Sequence, residues 1–275
     1  MDYLFYHSGK IPNYLKYSLE SVKKSDTDAN IFLACDQEYQ QPGVEVVDIN
    51  KLNSSRIEKI KNLRYFKGWS DNPLWESSLL RIFYLYEVAK FLKIDQFVHF
   101  DNDVILYKPF TEIKNLLTNQ KLNITPLTNS FLVFGYSFVN SLSIYDEICE
   151  KVFEIYNSPD RYEKQYYEGK KIIEMKALYI AYKENPNLFN LLPVHPKDSE
   201  NYVFDPASYG QYLSGVHNKR FSRKFTDETH ILGSDLKNKY LVPSFKKKKV
   251  TVNFKDKDYQ LVNLHIHSKK LRKYL

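Results

Sequence analysis

Apolar residues near the start of this chain alternate between short unbroken runs and longer stretches at helical spacing. Residues 2–6, 30–35 and 44–48 are too short for helices and read as strands. Between the first two, Ile11, Leu15, Leu19 and Val22 recur at helical spacing, with Pro12 in the first turn. Strand, small-residue turn at His7-Ser8-Gly9, then helix is how a nucleotide-binding α/β unit opens, although one glycine does not make a phosphate loop. Helical spacing returns over residues 57–63, a turn-rich stretch fills 68–73, and residues 75–92 form the strongest helical pattern. That pattern is apolar over most of its circumference, which predicts a helix buried against a sheet.

The rest of the chain continues the mixture. A short helix is predicted over 112–117, strands over 122–126 and 130–135, and a helix over 139–156. Residues 158–171 are charged and tyrosine-rich, as in a surface helix or loop; 172–182 are helical and 188–192 return as a strand. Residues 240–245, 250–254 and 260–267 read as late, partly antiparallel strands. In the last, Val262, Leu264 and Ile266 take one face, and Asn263, His265 and His267 the other. The pattern predicts an α/β fold: a mixed, mostly parallel sheet flanked by helices, with a small antiparallel part near the C-terminus.

One stretch organises this layout. An apolar run over 97–100 meets Asp101 and Asp103, and a second run over 104–107 follows. A run apolar on both alternating faces is a strand buried in the middle of a sheet. Open α/β sheets place ligands just outside the carboxyl ends of such strands. Carboxylates one residue apart at that place can face a single hard cation. Asp-x-Asp also occurs at Asp26/Asp28 and Asp256/Asp258, but those copies lie in polar turns and read as solvated carboxylates.

Composition narrows the classes. Of 275 residues, 43 % are hydrophobic, including 23 Tyr and 18 Phe, so a packed core is expected and wholesale disorder is excluded. Cys35 and Cys149 are far apart beside apolar neighbours, which excludes a zinc cluster and a disulfide framework and implies a reducing compartment. The N-terminus lacks the features of a signal peptide, and no window reaches the ~20 apolar residues of a membrane span, so a soluble, cytoplasmic protein is expected. The formal charge of +7 owes much to Lys246–Lys249 and to the tail around Lys269, Lys270, Arg272 and Lys273. A solvated hairpin and a frayed terminus would account for such charge, and so would a nucleotide diphosphate or an anionic membrane or glycan surface as partner, whereas no nucleic-acid-binding motif accompanies it.

Several side chains carry two readings. Asp36, at the end of a strand, suits a ribose or base and equally a cap. Arg81 interrupts the apolar face of the strongest helix, so it needs an anion, either a protein carboxylate or a ligand phosphate. Glu174 lies in a first helical turn, where the helix dipole alone would favour it. Asp205, Gly210, Gln211 and Gly215 sit among aromatics in residues 204–215, as in a shaped site rather than a plain turn. Two histidines on a polar strand face are commonly surface residues; here a lysine pair follows and a carboxylate pair elsewhere lacks a third ligand.

Taken in order, Trp75…Arg81-Ile-Phe-Tyr-Leu85, His99-Phe-Asp-Asn-Asp-Val104 and the final His-Ile-His-Ser-Lys269 resemble the GT-A glycosyltransferases, a Rossmann-like nucleotide-sugar-binding fold. The likeness runs from the Tyr6-His-Ser-Gly-Lys-Ile-Pro12 opening to the C-terminal histidines, and is nearest to small capsular, lipopolysaccharide and large-DNA-virus enzymes. The resemblance implies one GT-A domain over 1–275, with a nucleotide-binding half at 1–110 and an acceptor half with a C-terminal metal-ligand strand at 111–275. It implies Mn²⁺ or Mg²⁺ on Asp103, Asp101 at the metal or the donor ribose, and His267 completing the metal site with His265 in reserve. It places His7, Asp36, Arg81, Lys269 and Lys270 around the nucleotide, and Gly210 and Gln211 on the acceptor side. Asp205 and Glu174 are the candidates for a catalytic base. The implied activity is transfer of a hexosyl or deoxyhexosyl group from a nucleotide-sugar, UDP-linked by default, to a glycan hydroxyl in polysaccharide biosynthesis, with peripheral contact to an anionic membrane through the basic C-terminal segments. A GT-A-shaped protein without turnover, a metal-dependent phosphoesterase and a basic nucleic-acid-binding module are the alternatives.

Overall fold

A computed structural model describes residues 1–63, 65, 74–216, 226–246 and 249–275. The turn expected over 68–73 and two lysines of the Lys246–Lys249 run lie outside the described residues. The chain opens with β1 (Asp2–His7), α1 (Leu15–Ser25), β2 (Asn30–Cys35), β3 (Glu45–Asp48), α2 (Ser55–Lys61) and the long α3 (Leu74–Leu92). β4 (Phe97–His99) and β5 (Val104–Leu106) flank the Asp101–Asp103 turn, followed by α4 (Phe110–Ile113), β6 (Leu122–Thr128) and β7 (Phe131–Val139). Then come α5 (Leu142–Asn157), α6 (Pro159–Tyr167), α7 (Glu174–Glu184), β8 (Phe189–Leu191), β9 (Tyr202–Val203) and α8 (Ser208–Ser214). The chain ends with α9 (Gly233–Lys237), β10 (Pro243–Lys246), β11 (Lys249–Phe254), β12 (Lys257–Leu261) and β13 (Asn263–His265).

The main sheet runs β3-β2-β1-β4-β7-β6-β8. β1 pairs parallel with β2 and β4, β2 with β3, and β6 with β8, while β7 is antiparallel to both its neighbours. It is therefore the mixed, mostly parallel sheet that the apolar runs predict. One face packs on α3, α5 and α7, with Phe83, Val88, Ile148 and Leu178 fully buried between them. The other face packs on α1 through Leu15, Leu19 and Val22. A small sheet, β10-β11-β12-β9, covers a third apolar cluster that includes Tyr209, Leu236 and Val252.

Some expected elements shift for identifiable reasons. The first helix begins at Leu15 because the chain around Pro12 closes as a turn, with Leu15 N–H donating to the Pro12 carbonyl at 3.1 Å. Val139 ends β7 rather than starting a helix, and α5 starts at Leu142. Residues 204–215 contain α8, a helix that their glycines and aromatics concealed. The strand read over 260–267 is two strands: β12 belongs to the small sheet, and β13 leaves it to pair with β5. Asn263 and His265, read as a polar face, are consequently buried.

Candidate active site

The pairing of β13 with β5 builds the site. β4 stops at His99, and the turn after it is held by Asp101 N–H donating to the Phe134 carbonyl at 2.8 Å and Val104 N–H donating to the Asp101 carbonyl at 3.1 Å. β5 then runs antiparallel to β13 with Val104 opposite His265, and Ile266 N–H donates to the Asp103 carbonyl at 2.8 Å. His265 Nε2 lies 3.1 Å from Asp103 Oδ1 and 3.6 Å from Asp101 Oδ2. Lys269 Nζ forms an ion pair with Asp103 Oδ2. The His265 and His267 rings meet edge to face at 4.5 Å. Asp103, His265 and His267 thus offer three ligand atoms within 4.8 Å of one another.

α8 and its approach hold this strand in place. Asp205 is fully buried, and its two carboxylate oxygens accept four backbone N–H groups at 2.8–3.0 Å: Ala207 and Tyr209 on Oδ1, Gly210 and His265 on Oδ2. Asn263, also buried, accepts from Asp205 N–H and donates to the carbonyls of Asp205 and Gly135. This is the geometry of a backbone clamp. Gly210 is buried against the His265 backbone, where it allows α8 and β13 to approach closely. Gln211 Nε2 lies 2.8 Å from His267 Nδ1, facing the histidine that sequence reasoning paired with Asp103.

On the other side, α3 delivers Arg81. Its guanidinium pairs with Asp101 and, at 2.9 Å, with Glu174 in the first turn of α7, while lying over the Phe134 ring at 4.9 Å. Arg81 is therefore bound to two protein carboxylates, and its buried Nε has no hydrogen-bond partner among the described residues. Burial raises the Glu174 carboxyl to about 7; the Arg81 charge opposes that rise and Asp101 reinforces it. Burial pushes His267 down to about 3, and the charge on His265 adds to it, so His267 is a neutral imidazole. Burial also disfavours the charged form of His265, but Asp103 and Asp101 outweigh it and raise the group above its ordinary value.

Two of the residues expected around the nucleotide, His7 and Asp36, lie at the carboxyl ends of β1 and β2. Asp36 accepts from Ser8 Oγ at 2.8 Å and from Gly9 N–H at 2.9 Å, which ties the two strand ends together and makes it partly a cap. It also lines a cavity of about 430 Å³ with Tyr39, Val46, Asp48 and Asn50. His7 Nε2 lies 3.0 Å from the Lys10 carbonyl, and its other ring nitrogen lies 3.3 Å from Asn102 Nδ2. Lys270 is exposed just beyond the cluster. Sequence reading passed over Asn102, which donates to the Tyr6 carbonyl at 2.9 Å and fastens the Asp101–Asp103 turn to β1. It also passed over Asn263 and over Tyr14, whose ring lies under Lys269 Nζ at 5.3 Å. The only available signal for Asn102 was its place between the two aspartates.

The donor set suits a divalent ion. One carboxylate and two imidazoles within 4.8 Å form a mixed oxygen–nitrogen site, better matched to Mn²⁺ than to the all-oxygen shell Mg²⁺ prefers. Among the described residues, His265 Nδ1 and Gln211 Oε1 are buried with no hydrogen-bond partner. Asp101 lies outside the three-atom group and is held by Arg81.

No protein-family model matches the chain, and no curated protein matches it. Among solved structures, mouse xyloside xylosyltransferase 1 in its apo form superposes with a TM-score of 0.50 at 12 % identity, over 70 % of this chain and 86 % of that one. An active-site mutant of LgtC follows with a TM-score of 0.46 at 10 % identity, over 84 % and 86 %. The apo glycosyltransferase GlyE of Streptococcus pneumoniae TIGR4 gives 0.43 at 14 % identity, over 66 % of this chain and 43 % of that one. The likeness is one of fold and rests on the first of these together with the sheet order: this chain has the GT-A glycosyltransferase fold.

Proposed function

We propose that this chain is a metal-dependent glycosyltransferase that moves a sugar from a nucleotide-sugar, UDP-linked by default, to a glycan or other hydroxyl acceptor. The observation that carries the reading is the Asp103–His265–His267 cluster at the carboxyl edge of a GT-A sheet, with Arg81 and Lys269 beside it. Residues 1–110 would bind the nucleotide, with Asp36 and His7 near base and ribose, and residues 111–275 would supply the acceptor side and the second half of the metal site. Asp103, His265 and His267 would hold Mn²⁺ or Mg²⁺. A divalent ion bound there neutralises charge on the departing diphosphate. Lys269 and Lys270 add positive charge around the same leaving group, and Arg81, paired with Asp101 and Glu174, holds Asp101 in position for the metal or the ribose.

For the acceptor hydroxyl, Glu174 is the better-supported proton acceptor of the two candidates. It is buried, its carboxyl titrates near neutrality, and one of its oxygens is fixed by Arg81. Asp205, with four backbone donors on its carboxylate, keeps α8 and β13 together instead. Gln211, next to His267, orients that imidazole. Both cysteines are buried and unpaired, which supports a reducing, cytoplasmic setting. Among the described residues no helix is long and apolar enough to cross a membrane, and Lys246, Lys249, Arg272 and Lys273 are exposed, which supports peripheral contact with an anionic bilayer.

The test is calorimetric titration of UDP and GDP, each with and without Mn²⁺, on the wild type and Asp103→Ala. The expected result is metal-dependent binding of one nucleotide, lost in the variant. Failure of both nucleotides under every condition would remove the chemical basis of the reading. Metal-dependent binding with neither sugar transfer nor donor hydrolysis would instead identify a non-catalytic nucleotide-binding protein.

A further inference from the structure

Asp103 has no free oxygen. Oδ1 faces His265 Nε2 at 3.1 Å, Oδ2 is ion-paired with Lys269 Nζ, and the side chain is only 8 % exposed. A dication held by Asp103, His265 and His267 would bring two positive charges against that ammonium at contact distance, where repulsion in a poorly solvated site is large. The ammonium therefore has to leave Asp103 when a metal arrives. Lys269 is built to do so. Its side chain is 33 % exposed, unlike the carboxylate it pairs with, and it sits over the Tyr14 ring. Its backbone adopts φ +62°, a left-handed conformation unusual for a residue other than glycine, in a turn closed by its own N–H donating to the Ile266 carbonyl at 2.9 Å.

We infer that Lys269 is a resident monovalent cation of the metal site, displaced from Asp103 by the divalent ion and handed to the donor's diphosphate. The inference rests on the metal-dependent reading above and goes beyond it by making metal and nucleotide binding depend on each other. Metal alone must break the Lys269–Asp103 pair and leave an ammonium without its carboxylate. A nucleoside diphosphate alone meets a lysine already engaged. Together, each provides the partner the other displaces, and by linkage each tightens the other by the same factor. Between turnovers the pair also keeps Asp103 from being left as a buried, unpaired carboxylate.

The experiment measures Mn²⁺ affinity by calorimetry or by the electron-spin resonance of free Mn²⁺, with and without UDP, for the wild type, Lys269→Met and Lys269→Arg. In the wild type, UDP should tighten Mn²⁺ binding by about tenfold or more. Lys269→Met, which keeps length and removes charge, should bind Mn²⁺ alone about tenfold more tightly than the wild type and gain less from UDP. Lys269→Arg, which restores a cation, should return towards wild-type values. A lysine with a purely structural role would leave the coupling between Mn²⁺ and UDP unchanged when neutralised. The inference is overturned if Lys269→Met binds Mn²⁺ alone no more tightly than the wild type, or if UDP and Mn²⁺ bind the wild type independently. Absence of any Mn²⁺-dependent UDP binding in the wild type would overturn the metal-dependent reading itself, a separate outcome.

Discussion

The α-carbon of Gly210 lies so close to the backbone of His265 that an added Cβ would stand 1.8 Å from the His265 carbonyl oxygen and 2.6 Å from its carbonyl carbon. Both atoms are main chain, so no side chain can swing aside. Gly210→Ala should therefore push α8 away from β13 and take Gln211 with it. We expect a loss of about 3 kcal/mol in urea unfolding and weakened metal binding, the cost of overpacking against a rigid neighbour. A variant within ~0.5 kcal/mol of the wild type, the range of neutral surface changes, would mean that α8 and β13 are not packed this way.

Asp205→Ala would strand four buried backbone N–H groups at once. The expected cost is about 3–5 kcal/mol, as for removing one partner of a buried charged network, seen as a lower thermal midpoint. Asp205→Asn should recover little, because its amide turns donors towards donors. Were Asp205 a base with no structural duty, Asp205→Asn would melt like the wild type and lose only turnover.

Glu174 gives a pH signature. Its folded pKa of about 7 lies above its ordinary value of 4.5, so the folded state favours the protonated carboxyl. Its stabilising contribution is complete below the unfolded pKa and is lost as pH rises through about 7. Relative to Glu174→Gln, the wild type should lose on the order of 3 kcal/mol between pH 5 and pH 8. Unfolding curves for both proteins at the two pH values check it; parallel pH dependence would show that Arg81 keeps Glu174 ionised throughout. If Glu174 is also the base, the wild-type rate should rise with pH through the same range and the variant's should not.

The metal cluster separates ligands from their support. Alanine at Asp103, His265 or His267 should reduce Mn²⁺ affinity by at least about 100-fold, while Gln211→Leu, which removes only the group beside His267, should cost about tenfold. Titrations in the presence of UDP measure all four. Equal losses from Asp101→Ala and Asp103→Ala would place Asp101 on the metal directly, despite its pairing with Arg81.

Much of the fold was legible because it depends on local pattern. The apolar runs at β1, β2 and β4 and the all-round apolar helix α3 can be satisfied only by a sheet covered on both faces, and they appear as such. The central Asp-x-Asp stood out because it ends a buried strand, and the structure brings Asp103 to the two C-terminal histidines. α8 was not legible: a stretch of glycines, serine and aromatics has weak helical propensity and is held by Asp205, Asn263 and the His265 backbone instead.

The sequence alone thus determined the α/β layering, the buried strand ending at Asp101 and the set of charged groups that lack local partners, since burial and periodicity are properties of neighbouring residues. Tertiary structure decided what those groups meet. Arg81 had two open readings, and only the packing of α3 on α7 shows it shared between Asp101 and Glu174. Asp205 meets four backbone donors that come from two separate segments of the chain, which no local pattern announces. His265 and His267 became potential ligands when β13 left the small sheet for β5, a choice of strand partner made by hydrogen bonds across 157 or more residues of chain, from Val104–Leu106 to Asn263–His265. No local pattern encodes such a pairing, because its energy belongs to surfaces that exist only once both strands are in place.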